Sequence, residues 1–83
     1  MTRLGFIGII IERRNGTVEK VNALLGTYAN IIVGRMGVPY KEKGCSVITL
    51  IVDATVDEVG ELTGKLGTLE NVSVRSALSK QGK

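Results

Sequence analysis

The hydrophobic period of this 83-residue chain switches between two and 3.6 in a fixed order, and that order constrains the fold more than any single residue. Leu4 to Glu12 is apolar and β-branched and reads as a strand. Arg13-Arg14-Asn15-Gly16 reads as a turn, with Asn15 a candidate helix cap. From Thr17 to Ala29 the apolar residues Val18, Val21, Leu24, Leu25 and Tyr28 recur at steps of three and four, the stripe of a helix. Ile31 to Tyr40 reads as a second strand, interrupted by Gly34 and Gly37. Lys41-Glu42-Lys43-Gly44 reads as a hairpin loop and Ser46 to Asp53 as a third strand. Thr55-Val56-Asp57-Glu58 has the capping-box spacing and opens a second helix. Its inward residues are expected to be Val56, Val59, Leu62, Thr63 and Leu66, with Gly67 as the stop. Gly60 and Gly64 weaken it unless it packs closely on a neighbour. Val72 to Leu78 is the last strand.

The order βαββαβ predicts an α+β chain, the ferredoxin-like split sandwich. A four-stranded antiparallel sheet carries both helices on one face, and residues 1–83 are expected to form a single domain.

A sheet covered on one side should alternate apolar and polar residues. Here Phe6 and Ile10 oppose Ile7, Ile9 and Ile11. Ile48, Leu50 and Val52 oppose Val47, Thr49 and Ile51, and Ile31 and Val33 oppose Ile32, Met36 and Val38. Three strands apolar on both sides leave a patch that marks an interface. The expectation is a homo-oligomer, dimer or tetramer, in which lysine at Ile9 or Ile51 releases monomers or unfolds the chain.

Composition removes several chemistries. There is no His, so imidazole bases and imidazole metal sites are excluded, and no metal site is expected. Cys45 is the one cysteine, which excludes an internal disulfide and fits a reducing cytoplasm. The apolar run Leu4 to Ile11 is far short of a membrane span, and no membrane association is expected. Asp57, Glu58 and Glu61 suit a helix start rather than acid–base work. No catalytic residue and no cofactor is assigned, and the chain is not expected to be an enzyme. Residues 1–45 hold seven basic and three acidic residues, a charge of +4, and residues 46–83 hold four and five, a charge of −1. The basic half could draw an anion, though an ordinary solvated surface is also compatible with this charge.

The candidate ligand site is the turn Asn15-Gly16-Thr17 together with Arg35. Backbone N–H groups at a helix start receive carboxylates or phosphates. Arg35 lies mid-strand between Gly34 and Met36, where a charge needs a partner or water. It fits either a ligand contact or a protected sheet edge.

The run from Gly16 to Leu25, followed by Ala29-Asn30-Ile31-Ile32, resembles the signature of ACT domains, and Val47 to Asp53 is similar to their third strand. Nearly the whole chain resembles the small regulators of the iron-only hydrogenase system. The resemblance is carried by Ile32-Val33-Gly34-Arg35-Met36-Gly37-Val38-Pro39-Tyr40, by Leu62 to Gly67 and by Val74 to Ser79. It implies a free-standing ACT-like domain of anaerobic bacterial cytoplasm, related to the ligand-sensing half of nickel-responsive repressors, and a part in transcriptional regulation. It carries the ACT glycine over to Gly16, with Asn15 in place of the family's preceding proline. Those repressors bind nickel through His and Cys and carry a ribbon-helix-helix segment. This sequence has no His, and its first strand begins near Leu4, so direct DNA binding is not expected.

The leading expectation is an effector-sensing regulatory oligomer. Its partners would be further copies of itself, a small anionic or amino-acid-like effector at a subunit boundary near Gly16, and a protein target. An RNA-binding sandwich would stack bases on central-strand aromatics, of which only Phe6 is present. A small phosphatase would need a water-activating residue beside its loop. A ligand-free assembly subunit is the remaining alternative.

Overall fold

The computed structural model describes residues 1–12 and 16–80. Four strands and two helices follow one another as β1 (Arg3–Glu12), α1 (Thr17–Thr27), β2 (Ile32–Tyr40), β3 (Cys45–Ala54), α2 (Val56–Gly67) and β4 (Val72–Leu78). The sheet order is β2-β3-β1-β4 and all three pairings are antiparallel. This is the ferredoxin-like split sandwich that the period switches predict.

Side chains alternate across the sheet as the pleat requires. Ile7, Ile9 and Ile11 of β1 and Ile48, Leu50 and Val52 of β3 point to the inner face. There they meet Val21 and Leu25 of α1 and Val59, Leu62 and Leu66 of α2 in one core. The opposite, outer face is uncovered: Phe6, Ile10, Val47 and Ile51 remain exposed. Ile9 therefore belongs to the chain's own core, and a lysine there would unfold the protein rather than release a monomer. Only Ile51 reports on association.

β2 departs from the alternation read in the sequence. Its register slips between Ile32 and Gly34, so that Ile32 pairs with Val52 and Gly34 already pairs with Ile51. The extra residue, Val33, is 66% exposed. Ile32 consequently shares the inner face with Val52, while Met36 and Val38 pair with Thr49 and Val47 on the outer face. Grouping Ile32 with Met36 and Val38 was incorrect because a one-residue bulge inverts the faces beyond it.

The helix boundaries have local causes. Thr55 caps α2: Glu58 N–H donates to its Oγ1 at 3.1 Å, and the Thr55 N–H donates to Glu58 Oε1 at 2.9 Å. That reciprocal pair is the capping box expected from the sequence. Val56 is not inward as expected but 55% exposed. It lies at the first helical position, roughly a quarter turn off the centre of the Val59–Leu62–Leu66 stripe. Nor does Gly67 stop the helix: it is the last helical residue, with Thr68 as a right-handed cap, and the left-handed turn falls at Asn71 instead. Gly60 and Gly64 face open space rather than a close neighbour. α1 ends at Thr27, and a short 3-10 turn, Ala29–Ile31, leads into β2. A similar turn, Lys41–Lys43, closes the β2–β3 hairpin on left-handed Gly44.

Candidate functional site

The head of α1 is set by Gly16, whose φ of 76° lies in the left-handed region that favours glycine. Gly16 is the N-cap position and no side chain caps the helix there. Asn15, the cap expected from the sequence, lies outside the described residues. Thr17 is buried at the first helical position.

From that head, Val18, Glu19 and Asn22 present one side of α1 toward the edge strand β2. The bulge at Val33 has turned Arg35 onto the same inner side, opposite Leu50. Arg35 Nη2 donates to Asn22 Oδ1 at 2.8 Å. Between helix and strand runs an open groove of about 400 Å³, lined among others by Val18, Glu19, Asn22, Arg35, Gly37 and Pro39. Gly37 helps keep it open. A Cβ there would lie 3.9 Å from Ile48 Cγ1, an ordinary contact, but it would stand on the groove's floor.

The groove carries one cation, one carboxylate, one amide and the Ser46 hydroxyl among the apolar Val18, Val38, Pro39 and Ile48. Among the described residues no carboxylate forms an ion pair with Arg35; the one ion pair is Glu61 to Lys65 at 3.7 Å. A guanidinium offers five donors in a planar fork suited to carboxylate or phosphate. Asn22 holds that fork at the groove's side. Glu19, one turn before Asn22 on α1, adds a negative group able to receive an ammonium.

The structure thus brings Arg35 to α1. It places Gly16 and Thr17 just ahead of the groove, at the helix head, not among the residues that line it. Sequence reasoning missed Asn22 and Glu19. Their spacing to Val18 on the helix was visible, but their pairing with β2 depends on the bulge.

A second polar cluster joins the two helices. The Tyr28 hydroxyl donates to Glu61 Oε1 at 2.6 Å, and Lys65 Nζ lies 5.3 Å from the Tyr28 ring centre. Donation from Tyr28, aided by the charge of Lys65, holds the Glu61 carboxyl below its ordinary value. Tyr28 first, then Glu61, holds Lys65 above its own. Cys45 is half-buried on the outer face beside Glu12 and Tyr40. Among the described residues no three His, Cys, Asp or Glu side chains converge as metal ligands, and no helix is long and apolar enough to cross a membrane.

Comparison with known proteins places this geometry. The chain is 31% identical to the uncharacterized protein TM1266 from Thermotoga maritima, with a TM-score of 0.92 over 96% of this chain and 100% of that one. It resembles the ACT domain of a GTP pyrophosphokinase from Chlorobium tepidum, with a TM-score of 0.79 at 19% identity over 93% and 100% of the two chains. It also resembles the C-terminal domain of the MgtC protein from Mycobacterium tuberculosis, with a TM-score of 0.73 at 14% identity over 99% and 93%. These last two share the fold, which is ACT-like. A search among curated proteins gives no match. The TM1266-like family, iron-only hydrogenase system regulator by its provisional designation, matches residues 3–76, and the chain belongs to that family.

Proposed function

We propose that this protein is a non-catalytic, effector-sensing regulator in the cytoplasm. In this reading residues 1–83 act as one unit, assembled into a homo-oligomer and reaching a protein target. The effector is a small carboxylate- or phosphate-bearing molecule, amino-acid-like in the simplest case, held between α1 and β2. Arg35 receives its anionic group, and Gly16 and Thr17 add helix-head N–H donors at the near end of the groove.

The observation that carries this reading is Arg35. It is turned inward by a bulge, held by Asn22 at 2.8 Å and set in a groove that also contains Glu19. An arginine serving only to protect a sheet edge would need none of these. The family designation and the ACT-like fold support the regulatory side of the reading. Regulation then requires that the effector bind one subunit arrangement more tightly than another, since only differential affinity shifts an equilibrium.

The test is an NMR titration of the full chain with a panel of amino acids, nucleotides and organic acids. The amides of Gly16, Thr17, Asn22 and Arg35 should shift together for one class, and Arg35→Lys should weaken that binding at least tenfold without unfolding the chain. Shifts clustered at Asp57 and Glu61 instead would overturn the site.

A further inference from the structure

The order β2-β3-β1-β4 leaves β2 with a neighbour on one side only. Among the described residues no backbone hydrogen bond from outside the sheet reaches residues 34–39. Pro39, opposite Ser46, has no N–H to give, so its place in the ladder is one that asks for no bond to β3. By alternation Gly37 and Arg35 hold the same kind of place, and their N–H and C=O groups point off the edge. That is a template for one more strand. The bulge at Val33 ends it on one side and Pro39 on the other, so only a short segment can pair there.

The two flanks of this edge differ. On the inner side it borders the groove that holds Arg35, Asn22 and Glu19. On the outer side Met36 and Val38 are 68% and 47% exposed. A strand laid beside β2 turns alternate side chains to these two flanks. Toward the groove, Arg35 suits a carboxylate. Asn22 occupies one of its five donors, and among the described residues no acid pairs with it. Glu19 in the same groove opposes a second acid. Toward the outer side, Met36 and Val38 suit apolar residues. A groove between a helix and a free sheet edge is well suited to strand addition, in which main-chain bonds give affinity and alternate side chains give specificity.

A second copy of the chain does not supply this pattern. Its two edge strands, β2 and β4, contain no acidic residue. Either of them laid along β2 would leave Arg35 without a carboxylate.

We propose that the free edge of β2 takes an extended segment of another protein as a fifth strand, with one Asp or Glu on Arg35 and apolar residues on either side of it against Met36 and Val38. The inference rests on the protein-target half of the reading above and names the segment that such a target presents. Effector and segment both need Arg35, so each excludes the other, and effector binding releases the target.

The test is selection of random eight-residue peptides displayed on phage against the full chain, followed by titration of a synthetic selected peptide. Selected sequences should share one acidic residue flanked by apolar ones. Binding should fall about tenfold or more in Arg35→Ala and stay unchanged in Arg75→Ala, on the opposite edge strand. N-methylation of the peptide should weaken binding at every second residue and leave it intact between them. Gly37→Pro removes one edge N–H without removing a bond to β3 and should weaken binding likewise. Should circular dichroism show that variant misfolded, the N-methylated peptides carry the same test. The Arg35 and Gly37 amides should exchange quickly with solvent in the free protein and slowly in the complex. Failure to enrich any peptide, enrichment without an acid, binding indifferent to Arg35→Ala, or methylation effects without a two-residue period would overturn the strand site. Edge amides already protected in the free protein would also overturn it, by showing a second copy seated there. None of these outcomes touches the small-molecule effector, which the titration with amino acids, nucleotides and organic acids tests by itself.

Discussion

Arg35 on an edge strand and Asn22 on the first helix meet at 2.8 Å because β2 carries one residue more than its partner strand needs. Without the bulge at Val33, strict alternation from Ile32 would send Arg35 to the outer face. There it would stand between Val47 and Ile51 and charge a surface that is otherwise apolar. The bulge therefore separates two uses of one sheet: a polar groove on the helix side and an apolar face on the other.

Because the Arg35–Asn22 contact is exposed, it positions more than it stabilises. Asn22→Ala should change unfolding free energy by less than about 1 kcal/mol in chemical denaturation. The Arg35 side-chain resonances should nonetheless lose their defined environment, read as collapse of the Nε–Hε signal toward the free-arginine position.

The capping box makes a sharper stability statement. Thr55→Ala should cost about 0.5–2 kcal/mol, since it removes the acceptor of the Glu58 N–H. Glu58→Ala should cost less, because it removes only the reciprocal bond to the Thr55 N–H. Urea denaturation of both variants checks the order.

Core and surface valine and leucine positions of α2 should separate cleanly. Leu62 is fully buried, and Leu62→Ala should cost about 2–5 kcal/mol. Val56→Ala, at an exposed position, should stay within about 0.5 kcal/mol. Equal losses would mean that the first turn of α2 packs inward after all.

Gly5→Ala should be strongly destabilising. The added methyl would run into the Ala77 carbonyl oxygen and lie 2.5 Å from Leu78 Cδ2. The β1–β4 pairing would have to shift, at about 1–3 kcal/mol for overpacking. Thermal unfolding should show a lowered midpoint for Gly5→Ala and none for Gly8→Ala, whose methyl meets nothing within its own chain.

The Tyr28–Glu61–Lys65 cluster sets a pH dependence with a definite sign. The Glu61 carboxyl is held below its usual 4.5 in the folded state, so its contribution is present above 4.5 and lost as pH falls through the folded value. Lys65 is held above its usual 10.5, so its contribution is complete below 10.5 and lost as pH rises through the folded value. Tyr28→Phe removes the hydroxyl that donates to Glu61. The Glu61 carboxyl should then titrate closer to 4.5 when followed by carbon NMR.

Much of the fold was legible from the chain itself. The order of strands and helices, the inner stripe of Ile7, Ile9 and Ile11 against Leu50 and Val52, and the Thr55–Glu58 box all follow from local periods and capping chemistry. These depend on residues a few positions apart. The faces of β2 were not legible, because a bulge is settled by how two strands register against each other, and nothing between Ile32 and Gly34 announces it. Arg35 stood out as a charge inside a strand. That it would turn toward Asn22 and Glu19 rather than toward the outer face depended on that long-range register. Gly5 and Gly8 fall on opposite faces of one strand by alternation, Gly5 with Ile7 and Gly8 with Phe6. Only the tertiary structure sets one against Leu78 and leaves the other over open space, because burial is decided by what the rest of the chain brings alongside.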